Sequence, residues 1–453
     1  MKQQVHPAHL VWALVALTTG CATYRPAPIE PLEVLNVLED VEWSADAPFA
    51  EGPEELSGGP LVGPRELASF AVSTNPELAA ARAEVGVRGA LLVEAGLLPD
   101  PELGWDAMNN VASLTVDGTS SPVDTISGLG LMFPLLRPGE RDARVGVAEW
   151  QVEEARRRVA AAEWSLTQRV HVAYEEVRAA EILLSQTLAL AELAASTNDY
   201  FKRARDAGAA TAIQANLALG EFQAIRLDGV RAEVRVRESR QALNGLLGLP
   251  PTAELPIGPG PDPSEHEALR FSAAELTAHA VESRPDLAAL LAGYQAVDEA
   301  VRLAVSKQYP QFAVGTGISL TLPFFSKFGR PEMRTAIARR ERLSREFTAA
   351  VHAAREEIAA AYMLLEYAER ELQLVEDELL PNAEESLELS REAFRAGEVT
   401  LLETLALQRA LLEARTRHTE ARAERSKRAW TVLAASGWLL GANPATNKNN
   451  EEN

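Results

Sequence analysis

The feature that most constrains this chain is a proline-free run from Glu140 to Asp206, with apolar residues in alternating steps of four and three. Leu166, Val170, Ala173, Val177, Ala180, Leu184, Ala191 and Ala194 keep the pattern, and Thr187 fills its one missing slot. This is a heptad seam, which faces a partner helix along its whole length. At a rise of about 1.5 Å per residue the helix is about 100 Å long, far beyond the usual helix of a globular domain. Ala207-Gly208 ends it, because glycine can take the left-handed conformation of a helix stop. Thr211 can then cap a return helix reaching toward Leu249.

The pattern is present twice. From near Pro331, the residues Phe347, Val351, Ala354, Ile358, Ala361, Leu365, Ala368, Leu372, Val375 and Leu379 repeat the same steps. Gly397 and Thr400 follow Gly208 and Thr211 at one offset of 189 residues, and a return helix runs on through Leu401, Leu405 and Leu412. Pro381 should kink or interrupt the second long helix. A second offset, of 209 residues, carries Glu66-Leu67, Ala71-Val72, Pro76, Leu78 and Pro101 onto Glu275-Leu276, Ala280-Val281, Pro285, Leu287 and Pro310. The first of these segments opens a helical pattern from Pro64 to Leu98. Each half then reads helix, strand pair, long helix, tight turn, return helix.

The strand pairs show a period of two. Glu102 to Met108 is short and strand-like, and Thr125 to Phe133 puts Leu129, Leu131 and Phe133 on one face. In the second half Gln311 to Thr316, then Ile318, Leu320 and Leu322, alternate similarly. Between Pro101 and Pro134 lie 32 residues, but between Pro310 and Pro323 only 12. Two strands cut from the shorter stretch fall well below the roughly 9–11 residues of a tilted membrane-spanning strand. Either the flanking prolines lie inside extended strands, or any barrel built from them is partly truncated.

The chain starts with Lys2, an apolar run from Leu10 to Leu17, and Thr18-Thr19-Gly20-Cys21. The run is too short to span a membrane and has the form of an export signal. A small residue before Cys21 resembles a bacterial lipoprotein signal, in which Cys21 becomes the acylated first residue, although Leu17 stands one position further from it than usual. Ala22 after it points to the outer membrane. Cys21 is the sole cysteine, so no internal disulfide forms. No later segment reaches about eighteen consecutive apolar residues, so a membrane passage would need a closed barrel. The net charge of −21 argues against nucleic acid as a partner. His171, His266, His279, His352 and His418 form no close pair, and no nucleophile or phosphate-loop motif stands out. No metal site, cofactor or enzymatic activity is expected. The divisions expected are a signal peptide at 1–20, a lipidated extended arm at 21–63, repeats at 64–249 and 271–440, a linker at 250–270 and a disordered tail at 441–453.

Asn75-Pro76-Glu77-Leu78, Arg284-Pro285-Asp286-Leu287, Leu97-Leu98-Pro99-Asp100-Pro101, Gln308-Tyr309-Pro310 and the two glycine turns resemble the TolC-like outer membrane efflux protein family. The wording of the first half, with Pro323-Phe324-Phe325, is most similar to its heavy-metal resistance channels. The resemblance implies a mainly α fold with a small β part. In a homotrimer, duplicated coiled-coil hairpins would form a periplasmic α-barrel beneath a short outer-membrane β-barrel. It implies an exit duct for metal cations or small toxic compounds, partnered by a periplasmic adaptor protein and an inner-membrane transporter. The hairpin tips, with Gly208, Thr211, Gly397, Thr400, Leu401 and Leu402, are the implied adaptor contact. Glu403 matches an acidic residue near the family's periplasmic constriction, and Gln214 is its uncharged first-repeat counterpart. Val399 stands where some members carry a gate-locking arginine. Two other readings are the exit duct of a type I protein secretion system and a lipid-anchored periplasmic scaffold without a pore.

Overall fold

The structure is a computed structural model that describes residues 26–41, 61–105, 115–116, 119–120, 129–315, 318–325, 327–396 and 398–440. The chain divides into two units, Met1–Glu42 and Trp43–Asn453. The first contains one short helix, α1 (Pro31–Glu39), which starts on a proline and buries none of its residues.

In the second unit α2 (Pro64–Thr74) and α3 (Pro76–Gly96) occupy the stretch that the sequence pattern suggests as a single helix. The break has a local cause. Pro76 disfavours the helical conformation at Asn75, which is extended at φ −63° and ψ 123°. The Asn75 side chain then accepts hydrogen bonds from the backbone N–H groups of Glu77 and Leu78 and caps α3. The sequence order continues with β1 (Glu102–Trp105), a small hairpin of β2 (Thr115–Val116) and β3 (Thr119–Ser120), and β4 (Leu129–Pro134). Next come α4 (Glu140–Asp206) and α5 (Ala212–Leu247). The second half gives α6 (Ala273–Ser283) and α7 (Pro285–Ser306), broken again before a proline, then β5 (Gln311–Gly315) and β6 (Ile318–Thr321). It ends with α8 (Arg330–Leu374), α9 (Leu380–Ala396) and α10 (Leu401–Ala435).

The 67-residue α4 forms as the heptad seam requires. Leu166, Val170, Ala173, Val177, Ala180, Thr187 and Ala194 are buried, while Leu184 and Ala191 are half-buried and Leu183 takes the inward place beside them. A second buried stripe, Trp164, Thr167, His171 and Tyr174, shows that α4 is covered on more than one side. It packs against α2, α3, α5, α7 and α10. In α8 the predicted seam is buried from Ala354 to Val375, while Phe347, Val351 and Leu379 are half-buried.

Pro381 does not interrupt the second long helix. A π-helical turn at Val375–Leu379 joins α8 to α9 just ahead of it. The wide turn relieves the clash of the proline ring with the carbonyl four residues earlier. The two hairpins are tied to each other by α10. Gln186 donates to the Thr419 hydroxyl at 3.1 Å, and Arg235 pairs with Glu420 at 3.0 Å. Among the described residues, no helix is long and apolar enough to cross a membrane.

The four-stranded sheet has the order β1-β4-β5-β6, antiparallel throughout. Pro310 and Pro323, which flank the short second segment, lie outside β5 and β6, while Pro134 lies inside β4, opposite Ala313. β5 and β6 are five and four residues long. The expected strand residues 106–108 and 125–128 and Thr316 lie outside the described residues, and Leu322 falls just past the end of β6.

Candidate functional site: an apolar sheet face and paired hairpin tips

Strand register collects the apolar side chains on one face. Leu103 pairs with Leu131, Phe133 with Val314, Val314 with Ile318, and Phe312 with Leu320. All seven are exposed, from 37% for Leu131 to 82% for Ile318. Leu322, 42% exposed, continues the parity of β6, while nothing is described of the Leu129 side chain. The opposite face carries Glu102, Met132, Gln311, Ala313, Gly315, Ser319 and Thr321. At Gly315 a Cβ would sit 1.8 Å from the Leu131 carbonyl oxygen, so only glycine lets β4 and β5 pair here. An apolar face opposite a face of mostly small and polar residues is the alternation of a strand between lipid and a watery lumen. Among the described residues β1 and β6 are the edges of this sheet, and an edge strand can pair with another strand.

From this sheet α4 leads directly to the first hairpin tip, a helix length of about 100 Å away. Gly208, exposed and at φ +73°, makes the turn, with Ala209 N–H donating to the Ala204 carbonyl at 2.7 Å. Thr211 caps α5 with a reciprocal box: the Gln214 N–H donates to its hydroxyl, and the Gln214 side-chain oxygen accepts from the Thr211 N–H at 2.9 Å. The second tip repeats this chemistry with a charge. Glu403 accepts from the Thr400 N–H at 2.7 Å and from its hydroxyl at 2.8 Å. These bonds, the backbone one foremost, hold the exposed Glu403 carboxyl below its ordinary pKa. Glu403 and Gln214 therefore each cap the helix they start. Gly397 lies outside the described residues.

Of the two leucines expected at the adaptor surface, only Leu402 is on the surface, 61% exposed. Leu401 is 4% exposed and packs with Phe201, Ala218 and Leu405, with Phe394 against them, so it joins one tip to the other instead. Sequence reasoning missed Ile213, 73% exposed. The repeat offset would have found it, since Ile213 follows Thr211 as Leu402 follows Thr400. Cys21 lies outside the described residues.

Three further groups of polar side chains hold the hairpins in place. At the α6–α7 break, the buried Arg284 pairs with Asp286 at 2.9 Å and Glu357 at 2.7 Å, and donates to the Ala435 carbonyl at 3.0 Å. Its guanidinium lies 4.9 Å from the Trp164 ring centre. At the corresponding break, Asn75 donates to the Leu246 carbonyl at 3.0 Å and Thr74 to that of Leu247 at 2.7 Å. The residue before each proline thus grips the end of a return helix. Midway along α4, His171 stacks on Trp430 at 4.0 Å, and its Nδ1 meets the Thr167 carbonyl at 2.8 Å, which fixes that nitrogen as the N–H. Among the described residues its Nε2 is buried without a hydrogen-bond partner, and burial lowers its pKa to about 4. Trp430 donates to Glu175, whose pKa burial raises. The Tyr174 hydroxyl donates to the Gly258 carbonyl at 2.6 Å, and burial pushes its pKa up to about 12. Among the described residues, no group of three or more His, Cys, Asp or Glu side chains is arranged to hold a metal ion.

The family model described as outer membrane efflux protein matches residues 67–249 and 276–437. The chain is 25% identical over 390 residues to the cobalt-zinc-cadmium resistance protein CzcC of Cupriavidus metallidurans, an alignment covering 81% of this chain and 87% of that protein. Among solved structures, the fold is similar to that of CusC, with TM-score 0.67, 15% identity, and 85% of this chain and 96% of that one covered. It is also similar to a membrane protein from Pseudomonas aeruginosa, with TM-score 0.67, 20% identity, and coverage of 85% and 99%. The match to the family model spans most of the chain and both hairpins, and the chain belongs to the outer membrane efflux protein family.

Proposed function

We propose that this chain is the outer-membrane exit duct of a tripartite efflux system, built as a homotrimer. The observation that carries this is the sheet. Four strands with an apolar outward face and two open edges cannot stand alone in lipid, where every backbone group needs a partner. Pairing β6 of one copy with β1 of the next closes three such sheets into a barrel, and the attached hairpins then form the wall of a periplasmic tube. Acylation at Cys21 would add a lipid anchor.

The exposed pair Ile213 and Leu402 at the tips, flanked by the Thr211 and Thr400 caps, offers a small apolar contact to an adaptor protein. The inner-membrane transporter would join through that adaptor. Glu403, its carboxylate kept ionised and oriented by Thr400, would form a ring of negative charge favouring cations at the constriction. The likeness to CzcC supports metal cations as the cargo. That cargo passes through without covalent chemistry, and selection is left to the pump.

Conductance in planar lipid bilayers tests the duct. A homotrimeric duct gives discrete, cation-favouring channels. A lipid-anchored scaffold, the reading that the short β5 and β6 favour, gives no conductance.

A further inference from the structure

β5 and β6, at five and four residues, have about half the length that a tilted strand needs to cross a bilayer. The apolar surface does not end with them. β1 begins, β4 ends, β5 begins and β6 ends at the same edge of the sheet. The residues flanking all four strands there are exposed: Leu98, Leu135, Tyr309, Phe324 and Phe328, at 41–72%, and Phe325 completely.

The turn after β6 is shaped to present its rings. The Lys327 N–H donates to the Phe324 carbonyl at 3.0 Å, and the Phe328 N–H to that of Pro323 at 2.9 Å. Phe324 and Phe328 meet edge to face at 5.5 Å. Lys327, Phe328 and Gly329 all have positive φ, and Gly329 is buried against Lys307 at the end of α7. Phe325 is left pointing away from the protein. Beside it, Lys327 and Arg330 are exposed, and neither makes an ion pair among the described residues.

Exposed aromatic rings next to unpaired cations match the boundary between acyl chains and headgroups. The rings take the apolar side, and the cations meet anionic phosphates. The belt is also continuous with the apolar face of the sheet, because Leu320 and Leu322 lead straight into Phe324. We propose that the turn after β6 is a membrane anchor in the periplasmic leaflet of the outer membrane. Phe324, Phe325 and Phe328 enter the acyl region, and Lys327 and Arg330 sit at the phospholipid phosphates. The turn thereby completes an apolar band that short strands leave unfinished. This rests on the reading of the sheet as a lipid-facing barrel wall.

The test uses two single-cysteine variants, Phe325→Cys and Ile318→Cys, each in the full chain with Cys21→Ser and each labelled with bimane. Both side chains are largely or wholly exposed, so neither change removes a packed group. The labelled proteins are reconstituted in phosphatidylethanolamine–phosphatidylglycerol vesicles containing lipids spin-labelled near the headgroup or deep in the acyl chain. The expected result is quenching at both sites, with the label at position 325 quenched at least twofold more by the shallow spin label than by the deep one. Quenching at 318 but not at 325 overturns the anchor and leaves the barrel standing. Absence of quenching at both overturns the barrel reading as well. Lys327→Glu with Arg330→Glu should reduce the quenching at 325, and unchanged quenching would remove the two cations from the proposal.

Discussion

Replacing Arg284 with alanine should loosen the junction where α6, α7, α8 and the end of α10 meet. The side chain is 7% exposed, and its interactions differ in worth. The charge-assisted hydrogen bond to the Ala435 carbonyl contributes about 1.5 kcal/mol, since that acceptor is left unpaired when the donor goes. The contact with the Trp164 ring adds about 1 kcal/mol. Asp286 and Glu357 are 39% and 44% exposed, so water screens their pairs to about 0.5 kcal/mol each. The loss is then about 3.5 kcal/mol. At about 2.1 cal/mol/K of unfolding entropy per residue, a chain of 453 residues melts about 4 °C lower for that loss. Arg284→Lys keeps the charge but cannot reach all of these partners at once, and should lose roughly half as much. Thermal melting of the detergent-solubilised protein, scanned at one rate for all variants, measures this. Melting of Arg284→Ala within 1 °C of the parent would refute the assignment of the junction to this side chain. Full recovery with lysine would refute the argument from guanidinium geometry.

Other predictions follow from the same contacts. His171 has a folded pKa of about 4 against 6.5 for the free side chain, so the folded state resists protonation. The sign is that of a depressed base: its contribution is complete above pH 6.5, falls as the pH drops toward 4, and amounts to about 3 kcal/mol across that window. His171→Gln should flatten the pH dependence of melting between pH 4 and 6.5, and an unaltered slope would assign it to other groups. Glu403→Gln should leave the α10 cap intact, because Gln214 performs that task in α5, while lowering the cation-to-anion permeability ratio of the channel. An unchanged ratio would remove Glu403 from the gate. Leu320→Arg places a charge on the lipid side of β6 and should cost about 2–4 kcal/mol, read as loss of protein from the membrane fraction. Normal insertion would contradict the lipid-facing assignment.

Much of this architecture is legible in the sequence because long helices write a regular signal. The seams through Val170 and Ile358, the glycine turn at Gly208 and the caps at Thr211 and Thr400 all follow from local rules, and the structure places them as those rules require. The breaks at Asn75 and Arg284 were harder to see. The apolar period continues across both, and the proline acts on the residue before it rather than on the pattern. Pro381 carries the opposite lesson: a π turn absorbed it, an adjustment that no residue type announces. At the tips, spacing marked both leucines but could not say that Leu401 turns inward onto Phe201, since that contact comes from the other hairpin. The apolar face of the sheet was visible in its alternation, but the register that aligns Leu131, Phe133, Val314 and Ile318 needed the paired strands.

The central claim is a closed duct assembled from copies of this chain. Single-particle electron microscopy of the detergent-extracted protein tests it most directly. The account predicts three-fold particles with a helical tube about 100 Å long, capped by a barrel inside the detergent belt. Monomeric rods, or a tube with no end embedded in detergent, would contradict it.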